Sequence, residues 1–258
     1  MNSVLFIDIG SDVRDKTNKI VAGLRARGIS VCHPENSKAL APSVALGQQS
    51  LGQQFDAVVH FDLGIPHRFT SVLEAYELTG VRVMNRYNIA SMLYNRIGLC
   101  IFLQQYAIRQ PRWYYGYPGG IPADFGQQVV HKSVDGHLVH LVERGRIHSS
   151  DELGFYQELI PNHSGITHTV YWIFGHCFTA TKSCVFTCPA EERRPKVMID
   201  TTLASEMEVV DQIWRQSQLD FFCVEFVGDH VIDVNPYPNP FCHPEAVGWF
   251  VDGISQVL

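Results

Sequence analysis

The sequence predicts an α/β (α+β) protein: a doubly wound N-terminal lobe, then lobes built on antiparallel sheets. Three observations predict it. Up to about residue 85, short apolar runs alternate with helical patterns, which is the order of a parallel sheet. From about residue 127 onward apolar residues recur with a period of two, and turn formers join the runs, which is the order of hairpins. The Gly/Pro-rich stretch "YPGGIPADFG" separates the two regimes.

"SVLFIDIG" reads as a first strand, "RDKTNKIVAGLRARG" as an amphipathic helix closed by Gly28, and "ISVCHP" as a second strand, together a βαβ unit. The Gln-rich "SKALAPSVALGQQSLGQQ" reads as a helix with loose ends. "FDAVVHFD" repeats the strand pattern, "RFTSVLEAYELTG" gives a helix ending at Gly80, and "VRVMN" gives a further strand. No GxGxxG follows the first strand, which removes the usual argument for a dinucleotide. "NIASMLYNRIGLCIFLQQYAIRQPRWYYG" is a helix or pair of helices that stops at Pro111. "QQVVHKSVDGHLVHLVERGRI" gives a strand, a turn at Asp135 and Gly136, and a strand; "GFYQELIP" gives one more. "TVYWIFGHCFTATKSCVF" is two strands turning near Gly175, with Cys177 and Cys184 as small core residues. In "DTTLASEMEVVDQIWRQSQ", Met207, Val210, Ile213 and Trp214 fall at helical spacing. The expected parts are a lobe over residues 1–85, a linking helix over 86–111, a small subdomain over 112–165 and a C-terminal subdomain over 166–258.

The last hairpin carries chemistry. In "VIDVNPYPN" Asp233 and Asn235 point to one face of a strand and Ile232 and Val234 to the other. "CVEFVGDHV" precedes it, with Gly228 and Asp229 as turn formers. A three-residue loop of Gly228, Asp229 and His230 places Glu225 across from Asp233, whereas a two-residue loop sends them to opposite faces. The three-residue register is expected, because it gathers Glu225, Asp233 and Asn235 on one face and buries Val224, Phe226, Ile232 and Val234 together. Two acids and an amide supply the hard oxygens that Mg²⁺ prefers. Crowded like charges on that face would make Asp233→Asn neutral or favourable to the fold, while Ile232→Asp would destabilise it.

Composition excludes several classes. The 258 residues are 46% hydrophobic with a formal net charge of -6, which supports a packed core and argues against a nucleic-acid backbone or anionic membrane as partner. The opening "MNSVLFIDIG" has no cationic start and its apolar run breaks at Asp8, so it reads as a strand and not a signal peptide. No stretch has the length of a membrane span. Seven scattered cysteines suggest free thiols and a cytoplasmic location. Of His176, Cys177, Cys184 and Cys188, only the last two approach zinc-ligand spacing, so a zinc hydrolase is a minor reading.

The ordered set "GVRVMN", a helix ending in "QP", "VVHK", "YQELI", a helix, and "VEF" followed by "VIDVNPYPN" resembles the ATP-grasp superfamily of carboxylate–amine ligases, in the branch that includes glutathione synthetase and amino-acid ligases acting on peptides or proteins. The likeness runs from about residue 55 to 240. It implies ATP-grasp lobes in which two antiparallel sheets hold ATP, with Glu225, Asp233 and Asn235 on Mg²⁺ (or Mn²⁺). Lys132 matches the family's strand-borne lysine. Arg96 stands where the family carries a lysine about four turns before the proline, keeping the charge while presenting a planar fork. Gln157, Glu158, Leu159 and Ile160 match the adenine hinge, unless this run is a plain edge strand. The resemblance implies small-molecule carboxylate and amine substrates, an amino acid or peptide among them, joined through an acyl phosphate, with a homodimer as the candidate assembly.

Two departures stand out. The lid after Lys132 offers only Gly136 and Gly145 in place of a glycine-rich segment, and "THTVYWIFG" lacks the arginine that many such ligases carry there. Lys182, Arg193, Arg194 and Lys196, after the hairpin, are the cations that could replace it. His67 and Arg68 lie where doubly wound folds bind ligands, or are loop residues. These departures keep a second reading open: a degenerate ATP-grasp protein that binds a nucleotide or a partner without turnover.

Overall fold

In the N-terminal lobe the apolar runs become parallel strands, because each strand-helix-strand passage returns the chain in the same direction. The computed structural model describes residues 2–8, 14–33, 55–61, 67–134, 139–147, 153–184, 186, 188, 196–199 and 201–258. β1 (Ser3–Ile7), β2 (Ser30–Cys32), β3 (Ala57–His60) and β4 (Arg82–Met84) form a sheet in the order β2-β1-β3-β4. Thr17, Ile20, Val21 and Leu24 of α1 (Arg14–Ala26) recur at helical spacing and are buried. Beyond its end Gly28 takes φ +79°, a left-handed angle that a side chain disfavours. α2 (His67–Leu78) precedes Gly80 and β4. The helix expected over residues 37–54, the turn at Asp135 and Gly136, Arg193 and Arg194, and the side chains of His67 and Arg68 lie outside the described residues.

The next segment is two helices, α3 (Tyr87–Tyr94) and α4 (Arg96–Gln105), broken at Asn95. Asn95 is extended at φ -73° and ψ 126°, and its side-chain oxygen accepts from the Ile97 and Gly98 amides at 3.0 Å each. This cap satisfies orphan donors and makes Arg96 the first residue of α4. The helix ends before Pro111, at Gln105, because Ala107 turns the chain at φ +54°. "WYYG", past the expected stop at Pro111, is β5 (Trp113–Gly116), whose aromatic residues pair with β8 (Gly154–Glu158).

The lid sheet contains β6 (Gln128–Lys132) and β7 (Val139–Glu143) in the order β5-β8-β6-β7, so β8 is an interior strand and not an edge. A second antiparallel sheet, β11-β10-β9-β12-β13, is built from β9 (Ile166–Ile173), β10 (His176–Ser183), β11 (Val197–Ile199), β12 (Phe221–Val227) and β13 (His230–Asn235). Its two faces serve two cores. Val170, Phe222, Val224 and Val234 pack with α3, α4 and α5 (Ala204–Ser217). Tyr171, Phe178, Phe221 and Cys223 pack with Val4, Phe6 and Val59 of the parallel sheet and with Phe250 and Ile254 of α6 (Ala246–Val257). Asn85, fully buried after β4, joins the two sheets. Its amide group donates to the Phe221 and Pro236 carbonyls at 2.6 Å each and its oxygen accepts from the Asp220 and Phe221 amides.

The β12–β13 hairpin pairs Glu225 with Asp233, but not by a three-residue loop. His230 pairs with Val227 and Val231 with Phe226, leaving Gly228 and Asp229 as a two-residue turn, and the register then shifts between Phe226 and Glu225. Ile232 is the extra residue of a β-bulge, which restores the parity that the shorter turn removes. Val231 therefore takes the core place expected of Ile232, which is half-buried. The expectation for Ile232→Asp moves with it: Val231→Asp is expected to destabilise the protein by several kcal/mol in urea unfolding, and Ile232→Asp to cost far less. Asn85→Ala, which strands the backbone groups of Asp220, Phe221 and Pro236 at β12 and after β13, is expected to cost about 3 kcal/mol or more in the same assay.

Candidate functional site

The lid sheet and the five-stranded sheet face each other across a cleft. The lid contributes Val130, Lys132 and Val139 and the residues Gln157 to Ile160 at the end of β8; the larger sheet contributes Thr167, Lys182, Glu225, Ile232 and Asp233; and the start of α4 contributes Arg96. Eight of the nine residues singled out from the sequence thus line one cleft: Lys132, Arg96, Gln157, Glu158, Leu159, Ile160, Glu225 and Asp233. Asn235 does not line it. It follows Asp233 on the same face of β13, half-buried, and its side-chain oxygen accepts from the Tyr237 amide at 2.8 Å.

Charge in the cleft is paired. Arg96 is 8% exposed, so it is no solvated helix residue, and its Nη1 donates to Asp233 Oδ1. The Lys182 ammonium donates to Glu225 Oε1 at 2.5 Å. Burial opposes the Lys182 charge, but Glu225 outweighs it and the pKa is raised. Of the two candidates among the described residues, Lys182 reaches the cleft, and it lies within β10 rather than after it. Lys196 instead donates to the Tyr171 hydroxyl and stands 4.5 Å from that ring's centre. The Lys132 ammonium, 8% exposed, donates to the carbonyl of the bulged Ile232 at 2.9 Å. Burial lowers its pKa from 10.5 to about 8, against the pull of Asp233. Among the described residues three cations, Arg96, Lys132 and Lys182, and three acids, Glu158, Glu225 and Asp233, line the cleft, and of these Arg96 pairs with Asp233 and Lys182 with Glu225.

The Glu158 carboxylate is turned to Arg112, accepting from its backbone amide at 2.8 Å and from Nε at 2.7 Å, which anchors the end of β8 to the start of β5. Gln157 is buried, and its Nε2 donates to Cys100 Sγ at 3.7 Å. Burial pushes the Cys100 thiol up to about 12, so it is a packing group. Its place was legible, since Cys100 lies one helical turn from Arg96. Alternation in "FTATKS" likewise puts Lys182 on the face of Ala180. All seven cysteines are free, and among the described residues no group of three His, Cys, Asp or Glu side chains could hold a metal, which leaves the zinc reading without a site. Among the described residues no helix is long and apolar enough to cross a membrane.

No protein-family model matches the chain, and no curated protein matches it in sequence. Solved structures do match it. The RimK domain protein ATP-grasp from Sphaerobacter thermophilus DSM 20745 is 18% identical with a TM-score of 0.69, over 98% of this chain and 99% of that one. The RiPP-associated ATP-grasp ligase of Chryseobacterium gregarium, solved with ADP and a leader and core peptide, is 10% identical with a TM-score of 0.73, over 100% of this chain and 98% of that one. The D-alanine–D-alanine ligase of Bacillus anthracis complexed with ATP is 11% identical with a TM-score of 0.70, over 100% and 97%. The chain has the ATP-grasp fold.

The low pKa of Lys132 gives a pH test. A bound triphosphate favours the ammonium form and raises its pKa, so binding near pH 8 should take up a proton, and affinity should fall as pH rises through about 8. Calorimetry of ATP binding in two buffers of different ionisation enthalpy should show this uptake, and Lys132→Met should abolish it.

Proposed function

We propose that this protein is an ATP- and Mg²⁺-dependent carboxylate–amine ligase acting on small-molecule substrates, an amino acid or peptide among them. An acid's carboxylate takes the γ-phosphoryl group of ATP, and an amine then displaces phosphate to form an amide. The observation that carries the reading is the paired set of cations and acids at the mouth between two antiparallel sheets. Arg96 adds to it. Its Nε is buried without an acceptor among the described residues, a donor that a phosphate oxygen would satisfy.

The residues fit a divalent cation. Glu225 and Asp233 are direct partners on adjacent antiparallel strands, where facing Cβ atoms lie about 4.5–5.5 Å apart. Asn235 follows on the same face with one lone pair of its amide oxygen committed to Tyr237, and all three offer hard oxygen. Mg²⁺ held there would neutralise phosphate charge. Lys132, Arg96 and Lys182 would orient the phosphates, and Gln157 to Ile160 would border the adenine. The chain's share in the reaction is position and charge. Free thiols fit a reducing, cytoplasmic setting. Binding without turnover is the second reading, favoured by the Asn235 oxygen already holding the Tyr237 amide.

Turnover separates the two. ADP release and an amide product should require a carboxylate and an amine together, in a screen of amino acids and small dicarboxylates. Nucleotide binding with no such pair would support the second reading. Mg²⁺ and ATP at about a hundredfold over the dissociation constant should stabilise the fold by roughly 2.7 kcal/mol, and a protein indifferent to both in thermal unfolding would overturn the two readings alike. Asp233→Asn should abolish that Mg²⁺-dependent gain. Contrary to the sequence-based expectation, it should also destabilise the protein by itself, by about 1–3 kcal/mol, because it removes the partner of the buried Arg96.

A further inference from the structure

Each acid expected to bind metal is already held by a cation of this chain. Arg96, at the first residue of α4, holds Asp233, and Lys182, from β10, holds Glu225. The pairs are one to one and come from separate elements, while the third cation, Lys132, bonds to the Ile232 carbonyl instead. The pairs are partly sheltered: the side chains of Arg96 and Asp233 are 9% and 26% exposed, and those of Lys182 and Glu225 36% and 20%.

A divalent cation arriving alone would have to part both pairs. It would leave Arg96 and Lys182 without counter-charge beside the added charge of the metal, which low-dielectric surroundings make unfavourable. A triphosphate changes the exchange, since its oxygens can take over both cations and the Arg96 Nε, which has no acceptor among the described residues. The acids are then released toward the metal.

We propose that Lys182 and Arg96 are internal counter-ions that keep Glu225 and Asp233 from binding a divalent cation until a triphosphate draws them away, so that metal and nucleotide enter together. The proposal rests on the reading of this cleft as a nucleotide site. It assigns Lys182 a role in the empty cleft, as the counter-ion of Glu225, before it meets a phosphate.

The test is Mn²⁺ binding without turnover. Mn²⁺ is titrated into the full chain alone, then with a non-hydrolysable ATP analogue, and free Mn²⁺ is read by electron paramagnetic resonance. Wild type should bind Mn²⁺ strongly only with the analogue. Lys182→Met should bind Mn²⁺ alone at least about tenfold tighter than wild type, and adding Glu225→Gln should remove that gain. If Lys182→Met fails to fold, Lys182→Gln, which keeps the polar end without the charge, takes the same test with the same expectations. Equal affinity for Mn²⁺ alone in wild type and the Lys182 variant overturns the counter-ion role by itself. Failure of the analogue to bind with Mn²⁺ overturns the nucleotide reading and this proposal with it.

Discussion

Which side chains face the cleft is decided by a parity constraint in one hairpin. Side chains in a strand alternate, so a two-residue turn between β12 and β13 with unbroken pairing would turn Asp233 and Asn235 toward the α3, α4 and α5 core. Ile232 prevents this as a bulge. The inserted residue returns Asp233 to a position opposite Glu225, keeps Val234 in the core and supplies the carbonyl that receives Lys132. The acid pair and the anchoring of the strand lysine therefore have one geometric origin.

Given that parity, charge decides the rest. An ammonium as buried as Lys132 loses hydration, and its lowered pKa records the loss. The acids, in contrast, are each paired with a cation, Asp233 with Arg96 and Glu225 with Lys182. Such pairs add little to net stability when desolvation is counted, yet breaking one from a single side is costly. The cleft is thus stable as a set and sensitive to each member, as expected where a ligand of opposite charge is to exchange partners with the protein.

The five-stranded sheet can carry this cleft because it is buried on both faces elsewhere. Val170 and Phe222 serve one core, Tyr171 and Phe221 the other, and Asn85 ties the parallel sheet to the same strands through four hydrogen bonds. Polar residues are left for the part of the face that the N-terminal lobe does not cover: Thr167, Lys182, Glu225 and Asp233. The lid sheet closes that part from the other side, with β8 fixed between β5 and β6.

The sequence by itself determined what is periodic and local. The βαβ opening, the antiparallel runs and the helix from Ala204 follow from spacings of two or three to four residues, which sterics impose wherever the chain lies. The order of motifs also carried the likeness to the ATP-grasp fold and gathered eight cleft residues in advance. Tertiary structure alone decided the rest. β5 is a strand because β8 is there to pair with it, and α4 starts at Arg96 because Asn95 caps it. Val231 rather than Ile232 enters the core through the bulge, and Lys182 rather than Lys196 meets Glu225 because Lys182 lies within β10 on the cleft face. Each of these depends on a contact between segments far apart in the chain, and the energies of such contacts are not written in the spacing of either segment.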